Sequence, residues 1–329
     1  MTDIPRSEPQ AWPARFSPDD SVLPFQVAEL GVRGRVVRLG PMVTDILARH
    51  DYPEPVASLL AEALALTAML GASLKFSGKF TLQTSTDGPV DMLVVDYETP
   101  GKMRAYAHFD ADGLAALQNG PQPAQSVLLG SGHLALTIDQ GADMDRYQGI
   151  VPIEDTGLAE AADVYFRQSE QIPTNIRLAS ARIYAGGEPG SKWRSGGILV
   201  QHLPDDGVPS PMPIDSGDVP EGVEFEHAVE DDRWTRARLL TGTVEDHELL
   251  DPTLSSERLL FRLFHEDGVT AFSPTPLARH CTCSRDRVQT LLRQFSGDDI
   301  SSMVEDGLIR VTCEFCSARY DFDPEDIVG

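Results

Sequence analysis

Four cysteines carry the chemistry this sequence offers. They fall in two pairs, Cys281-Thr282-Cys283 and Cys313-Glu314-Phe315-Cys316, both inside the last 49 residues, and the chain has no other cysteine. Four thiolates suit a tetrahedral zinc ion, which takes sulfur donors at about 2.3 Å. A C-x-x-C turn supplies two of them from one knuckle, and a C-x-C supplies two from a tighter segment. Twenty-nine residues separate Cys283 from Cys313, a longer gap than the roughly 15–20 of common zinc ribbons. The intervening chain must fold back to join the pairs. Two pairs with no cysteine left over predict one zinc ion on Cys281, Cys283, Cys313 and Cys316. His280 adjoins the first pair, but a four-cysteine set needs no histidine, and it reads as a solvated side chain.

Two roles are open to such a site, a permanent structural staple or a switch. Structural zinc contributes about 10–16 kcal/mol of apparent binding energy in small modules. A module of about 60 residues rarely draws more than about 3–5 kcal/mol from its own core, so losing the metal should unfold it. Oxidation of the thiolates to disulfides removes the donors. Disulfides within such short motifs close small loops and constrain the unfolded chain little, and the C-x-C ring is geometrically tight. They would not replace the metal as a staple.

The rest of the chain must position these residues. It has 329 residues, a net charge of -24 and 41% hydrophobic side chains, enough for a large globular domain plus a small one. The charge argues against binding phosphate backbones or anionic membranes, which require clustered Lys and Arg. The first residues, Met1 to Gln10, lack the basic start and apolar run of a signal peptide. The most apolar long stretch, Leu59 to Leu74, is interrupted by Glu62 and falls short of a membrane span. A cytoplasmic protein is predicted. In that reducing compartment closely spaced cysteines read as metal or redox groups rather than structural disulfides.

The predicted fold class is α+β, a mixed α/β core with a helical linker and a small C-terminal zinc-binding module. Residues 1–15 read as a flexible tail, 16–204 as the core, 205–270 as an acidic insertion and helical linker, and 271–329 as the zinc module. In the core, Asp51 is positioned to cap a helix carrying Val56, Leu59, Leu60, Ala63, Thr67 and Leu70 at helical spacing. Lys79–Thr84 and Val90–Tyr97 flank an Asp87-Gly88 turn, a hairpin signal. Met103–Ala107, Leu134–Ile138, Asn175–Tyr184 and Ile198–Leu203 read as further strands. A second helix follows Asp155-Thr156, with Leu158, Ala161, Ala162 and Tyr165 on one face. Between Asp205 and Asp232 lie ten acidic residues, scattered prolines and no Lys or Arg, a composition that buries little. A helical pattern from Asp251-Pro252 then carries Leu259, Leu260, Leu263 and Phe264. In the module, Val288, Leu291, Leu292 and Phe295 form one helical face, Ile300, Met303 and Val304 suggest a short helix, and Leu308–Thr312 reads as a strand.

Several motifs in one order mark a resemblance. They are His50-Asp51-Tyr52-Pro53, Leu74-Lys75-Phe76 with Gly78, Asp87-Gly88-Pro89, Tyr147-Gln148-Gly149, Tyr165 to Thr174 (YFRQSEQIPT), Gly196-Gly197 and Gln201-His202-Leu203-Pro204. In the module they are Cys281-Thr282-Cys283-Ser284-Arg285, Glu305-Asp306-Gly307, and Cys313-Glu314-Phe315-Cys316 with Tyr320 and Phe322. With these the chain resembles the heat-shock protein family of about thirty-three kilodaltons, the redox-regulated holdase chaperones of bacteria. The resemblance implies a substrate-binding core, a linker packed on it, and a zinc module that keeps the reduced protein inactive. It implies that oxidation forms Cys281–Cys283 and Cys313–Cys316 disulfides, releases zinc, unfolds the linker and exposes surface for unfolding client proteins. It also implies dimers when oxidised and no use of ATP. The acidic stretch after Pro204 looks longer than this family carries and reads as a solvated insertion.

Other readings are weaker. A thiol–disulfide oxidoreductase would place C-x-x-C at a helix start early in a βαβ pattern, whereas here it follows a strand near the end of the chain. A zinc-ribbon nucleic-acid adaptor conflicts with the net charge, and Arg285, Arg287 and Arg293 make only a small basic patch. Gly130-Ser131-Gly132-His133 lacks nucleophile-elbow spacing and reads as a turn between strands. No phosphate-binding GxxxxGK[ST] loop occurs, and no catalytic residue is predicted.

Overall fold

The helix Glu54–Gly71 is apolar on every side, and that property organises the molecule. Fourteen of its residues are buried, which requires cover all round, and two antiparallel-rich sheets supply it. The computed structural model describes residues 19–74, 77–117, 123–141, 146–184, 191–203 and 232–328. The tail 1–15, the Lys75-Phe76 portion of one motif and the acidic stretch 205–231 lie outside the described residues. The helix begins later than the sequence suggested. Pro53 takes the N-cap position and Pro55 stands in the first turn, so Asp51 caps nothing. Proline suits this turn because its missing N–H has no helical partner there.

One sheet runs in the order Val269–Ala271, Ser21–Val27, Val32–Leu39, Lys192–His202, Thr174–Ile183, with Thr275–Pro276 also on Ser21–Val27. The other runs Ala278–Arg279, Lys102–His108, Met92–Glu98, Lys79–Thr86, Ser131–Asp139, Tyr147–Glu154. Lys79–Thr86 and Met92–Glu98 form the predicted hairpin, with Phe80 opposite Tyr97 and Leu82 opposite Val95. The second helix is Leu158–Tyr165, burying the four residues expected of it. Gly130, at φ +64, turns a short helix, Gln125–Leu129, into Ser131–Asp139. It is thus a helix-to-strand turn rather than a turn between strands. Among the described residues, the one helix long and apolar enough to cross a membrane is Glu54–Gly71, and 78% of it is buried in the fold.

The first sheet is covered on both faces. Gly196 and Gly197 on Lys192–His202 show how closely. A Cβ on Gly196 would lie 2.5 Å from the Leu249 carbonyl oxygen, on the linker side, and one on Gly197 would lie 2.9 Å from the Met69 methyl, on the central-helix side. The linker consists of helices Asp232–Gly242, Asp246–Leu250 and Ser256–Phe264. Trp234, Leu249, Leu259, Leu260, Leu263 and Phe264 pack on Leu23, Phe25, Val36, Ile198 and Val200, and Phe264 stacks on Phe25 at 5.8 Å. The last linker helix starts at Ser256, capped by the Ser255 hydroxyl, not at Asp251-Pro252. Ser caps well because its oxygen accepts a free first-turn N–H. Phe261, beside the apolar stripe, is exposed.

The linker is held by more than apolar contact. Arg38, 3% exposed, donates to the carbonyls of Glu248 at 3.1 Å and of Asp251. Burial pushes its pKa down to about 10. Residues 269–279, divided by the sequence reading between linker and zinc module, run along both core sheets. Val269–Ala271 and Thr275–Pro276 pair with Ser21–Val27, and Ala278–Arg279 pairs in parallel with Lys102–His108.

Candidate metal centre and its seat on the core

The module beyond His280 is a three-stranded sheet, Val304–Glu305, Leu308–Thr312 and Arg319–Phe322, with helices Arg285–Leu292, Gly297–Ser302 and Pro324–Val328. Its turns follow from local chemistry. Asp306 and Gly307 take φ +51 and +82, the paired positive values of a tight hairpin turn. Ser284 and Ser296 cap the two helices that follow them. Among the described residues, Leu292, Ile300, Ile309, Phe322 and Ile327 form its buried cluster. The predicted face Val288, Leu291, Leu292, Phe295 is thus only partly covered. Leu291 is 55% exposed and Phe295 43% exposed, because a helix this short meets the small sheet over little more than one turn.

Cys313–Cys316 forms the tip of the Leu308–Thr312/Arg319–Phe322 hairpin. Cys313 N–H donates to the Ala318 carbonyl at 2.9 Å and Ser317 N–H to the Cys313 carbonyl at 2.8 Å, with Ser317 at φ +54. Cys281 and Cys283 arrive on the segment entering helix Arg285–Leu292. The fold joins the two pairs, as the sequence reading required. All four sulfurs lie within 4.8 Å of one another, with Cys281 Sγ 3.8 Å from Cys313 Sγ and Cys283 Sγ 3.3 Å from Cys316 Sγ. A disulfide needs about 2.05 Å, so these are free thiols. Sulfurs bound at about 2.3 Å to one tetrahedral ion stand about 3.8 Å apart, and the cluster has those dimensions.

The electrostatics make the same point. Burial raises the Cys281 thiol, but the Cys283 amide and the neighbouring thiols outweigh it and bring its pKa down to about 7. Burial pushes Cys313 up, and burial with the neighbouring thiols pushes Cys316 up to about 12. Without a cation, one ionised thiol in this cluster opposes the ionisation of the next. A divalent soft cation removes that conflict. Tyr320 donates its hydroxyl to Cys283 Sγ at 3.2 Å, a contact that raises the tyrosine pKa to about 12. Arg287 donates to the Thr282 carbonyl at 2.8 Å. His280 contributes no atom to the cluster. Its N–H instead donates to the Met103 carbonyl at 2.8 Å.

Comparison with known proteins decides the family. The family described as Hsp33 protein matches residues 20–323. The chain belongs to the Hsp33 family. A 33 kDa chaperonin of Caulobacter vibrioides is 47% identical over 308 residues, covering 93% of this chain and 95% of that protein. A 33 kDa chaperonin of Pseudomonas aeruginosa is 34% identical over 315 residues, covering 95% and 94%. The crystal structure of a 33 kDa chaperonin, an Hsp33 homologue from Thermotoga maritima, superposes with a TM-score of 0.71 at 20% identity, covering 94% of this chain and 96% of that one. At that identity it speaks for the Hsp33 fold.

In this Hsp33-family chain the cysteine cluster rests against the core. His50 Nε2 lies 3.5 Å from the Phe315 carbonyl, and His50 Nδ1 lies 3.3 Å from the Ser317 hydroxyl. The His50 ring stacks on Tyr52 at 4.8 Å, whose hydroxyl accepts the Ala107 N–H at 3.0 Å. Phe315 lies 6.2 Å from the Tyr106 ring and 4.0 Å beneath the Arg104 guanidinium. Sequence reasoning gave Asp51 of the His50-Asp51-Tyr52-Pro53 motif a capping role but His50 and Tyr52 none, and it treated Arg104 and Tyr106 as ordinary strand residues. The available signal was the pattern of Lys102–His108, where Met103, Ala105 and Ala107 are buried and the intervening positions are long and polar or aromatic.

Proposed function

We propose that this Hsp33-family protein is a chaperone that holds unfolding proteins without ATP and is switched by oxidation of its cysteine cluster. The observation that carries this reading is the cluster itself, four free thiols of zinc-site dimensions in a module whose apolar cluster, among the described residues, has five buried side chains. Bound zinc would cross-link the two pairs and keep their sulfurs as thiolates. Cys281, Cys283, Cys313 and Cys316 would hold it, and Tyr320 would steady Cys283.

Two equivalents of peroxide take four electrons from the four thiolates. Two S–S bonds form, Cys281–Cys283 and Cys313–Cys316, and four hydroxide ions result. The pairs then hold no metal, and a module with so small a core does not stay folded without one. A continuous strip leads from there to the linker. It comprises His280 N–H on the Met103 carbonyl, Ala278 N–H on Gly101, Leu277 N–H on Asp20 and Phe272 N–H on Pro24, followed by helix Ser256–Phe264. Loosening this strip frees the linker. The sheet face of Leu23, Phe25, Val36, Ile198 and Val200 and the linker's own apolar stripe are then uncovered. Such contiguous apolar surface binds unfolded chains and drives the oxidised protein to dimerise. The net charge of -24 keeps the loaded complex soluble.

The test is light scattering from a chemically unfolded client diluted into buffer without ATP. The protein is supplied either reduced and zinc-loaded or pre-treated with peroxide at elevated temperature. Suppression after oxidation alone is the expected result. Equal suppression in both states would leave a chaperone without a switch, and none in either state would refute the chaperone reading.

A further inference from the structure

Arg104 stands on core strand Lys102–His108, far in sequence from the cysteines, yet it touches both pairs at once. Its Nη1 donates to the Thr282 hydroxyl at 3.1 Å, and its guanidinium carbon lies 4.0 Å from the centre of the Phe315 ring. It also faces the Cys281 sulfur. Thr282 is the single residue enclosed by the first pair, and Phe315 is one of the two enclosed by the second. We propose that Arg104 is the positioning residue through which the core reads the state of both cysteine pairs, holding the zinc module docked while the pairs carry metal. This rests on the reading of the four cysteines as a zinc site.

The arginine is held ready by groups that do not belong to the module. Its Nε donates to Asp96 Oδ2 at 2.7 Å. Asp96 is 4% exposed and also takes Lys79 Nζ at 2.9 Å and the Thr81 hydroxyl at 2.8 Å. Asp96, held in turn by Lys79 and Thr81, anchors Arg104 within the core, and the contacts to Thr282 and Phe315 lie beyond what folding of the core requires. One carboxylate set between two cations leaves a local excess of one positive charge at the seat. Four thiolates around a divalent cation carry two negative charges, so seat and centre are complementary. Oxidation to two disulfides with loss of the cation leaves the centre neutral, and that attraction ends. Closing either pair also brings its sulfurs to about 2.05 Å. The loops that present Thr282 and Phe315 must change shape as this happens. A planar, forked guanidinium that stacks and donates together matches such a two-point reading better than an ammonium.

Binding at two linked sites is reciprocal, so a contact that favours the metal-loaded module also tightens the metal. The experiment uses the reduced full-length chain. It measures zinc affinity by competition with a chromophoric chelator and hydrogen exchange over residues 280–328. Arg310→Gln is the charge control, since Arg310 forms only an exposed pair with Asp306 at 3.5 Å within the module. Wild type and Arg310→Gln are expected to bind one zinc equally tightly. Arg104→Gln is expected to bind one zinc about tenfold more weakly, within the usual range of coupling factors, and to lose exchange protection at the His280 amide, which pairs with the Met103 carbonyl of the core, even at saturating zinc. Arg104→Lys should fall between, and Arg104→Gln combined with Phe315→Leu should be no weaker than either change alone. If Arg104→Gln does not fold, Phe315→Leu, which leaves the core untouched, carries the test with the same expected shift. Zinc binding by wild type together with wild-type affinity and protection in the variants would overturn the proposal alone. Failure of the wild type to take up zinc would overturn the zinc reading and this proposal with it.

Discussion

Two regions lie against the core, and they are held by different physics. Among the described residues, the linker contributes to an apolar cluster of eighteen buried side chains shared with one sheet, while the module beyond His280 has five of its own. Burying a large apolar side chain is worth about 1.5–3 kcal/mol, so packing supplies most of the linker's hold. It supplies far less in the module, where four sulfurs occupy the place of the missing core. Under the proposed function the contrast says where a switch would act. The weaker region carries the four thiols, and release of the stronger one would expose apolar surface. Residues 269–279, paired along both sheets, join them.

The comparison is broken most severely by removing a sulfur. Cys316→Ser should abolish most of the zinc affinity, from an apparent binding energy of about 10–16 kcal/mol. Metal analysis of the reduced chain would show less than one zinc, and the module should lose exchange protection without oxidant. Phe264→Ala strikes the other region. It empties the stack on Phe25 and should cost the linker about 3–5 kcal/mol of docking. Zinc content should stay unchanged while client aggregation is suppressed before any oxidation, as scored by light scattering. Arg38→Met sharpens the comparison further. It takes the guanidinium from the Glu248 carbonyl and leaves the Asp251 carbonyl with the Leu254 N–H alone, at a cost of about 1–3 kcal/mol, partly offset because the guanidinium no longer has to be kept from water. The oxidant concentration at half-activation should fall. The smallest effect belongs to the sheet itself. Asp19 is held below the ordinary carboxylate pKa of 3.8 by its hydrogen bonds to Arg194, at 2.7 and 2.6 Å. A depressed folded pKa means that this stability is present above pH 3.8 and is lost as pH falls through the folded value. Asp19→Asn should cost about 1 kcal/mol at neutral pH and flatten the acid limb of an unfolding titration without changing zinc content.

How far the sequence foretold this depends on how local each signal was. The cysteine pairs, the Lys79–Glu98 hairpin and helices Leu158–Tyr165 and Ser256–Phe264 were legible because spacing and periodicity lie within one segment. The start of the central helix was misplaced because two prolines competed with Asp51 for the first turn. Leu291 and Phe295 read as core but are exposed, since periodicity reports which residues share a face and not whether anything covers it. The strip 269–279 was invisible as strand. Its pieces are two or three residues long, and their partners are Ser21–Val27 and Lys102–His108, remote in sequence. The same distance hid Arg104, whose partners Thr282 and Phe315 come near only after both sheets have formed.

The central claim is that the metal state of the cysteines governs the linker, and hydrogen exchange by mass spectrometry on the full chain tests it most directly. Exchange would be followed in residues 232–271 and 280–328 for reduced zinc-loaded, reduced chelator-treated and peroxide-oxidised protein. The account predicts protection in both regions for the first state and loss in the module for the other two. In both metal-free states that loss should extend into 232–271, while the central helix 54–71 stays protected in all three. Protection of 232–271 that survives both zinc removal and oxidation would contradict it.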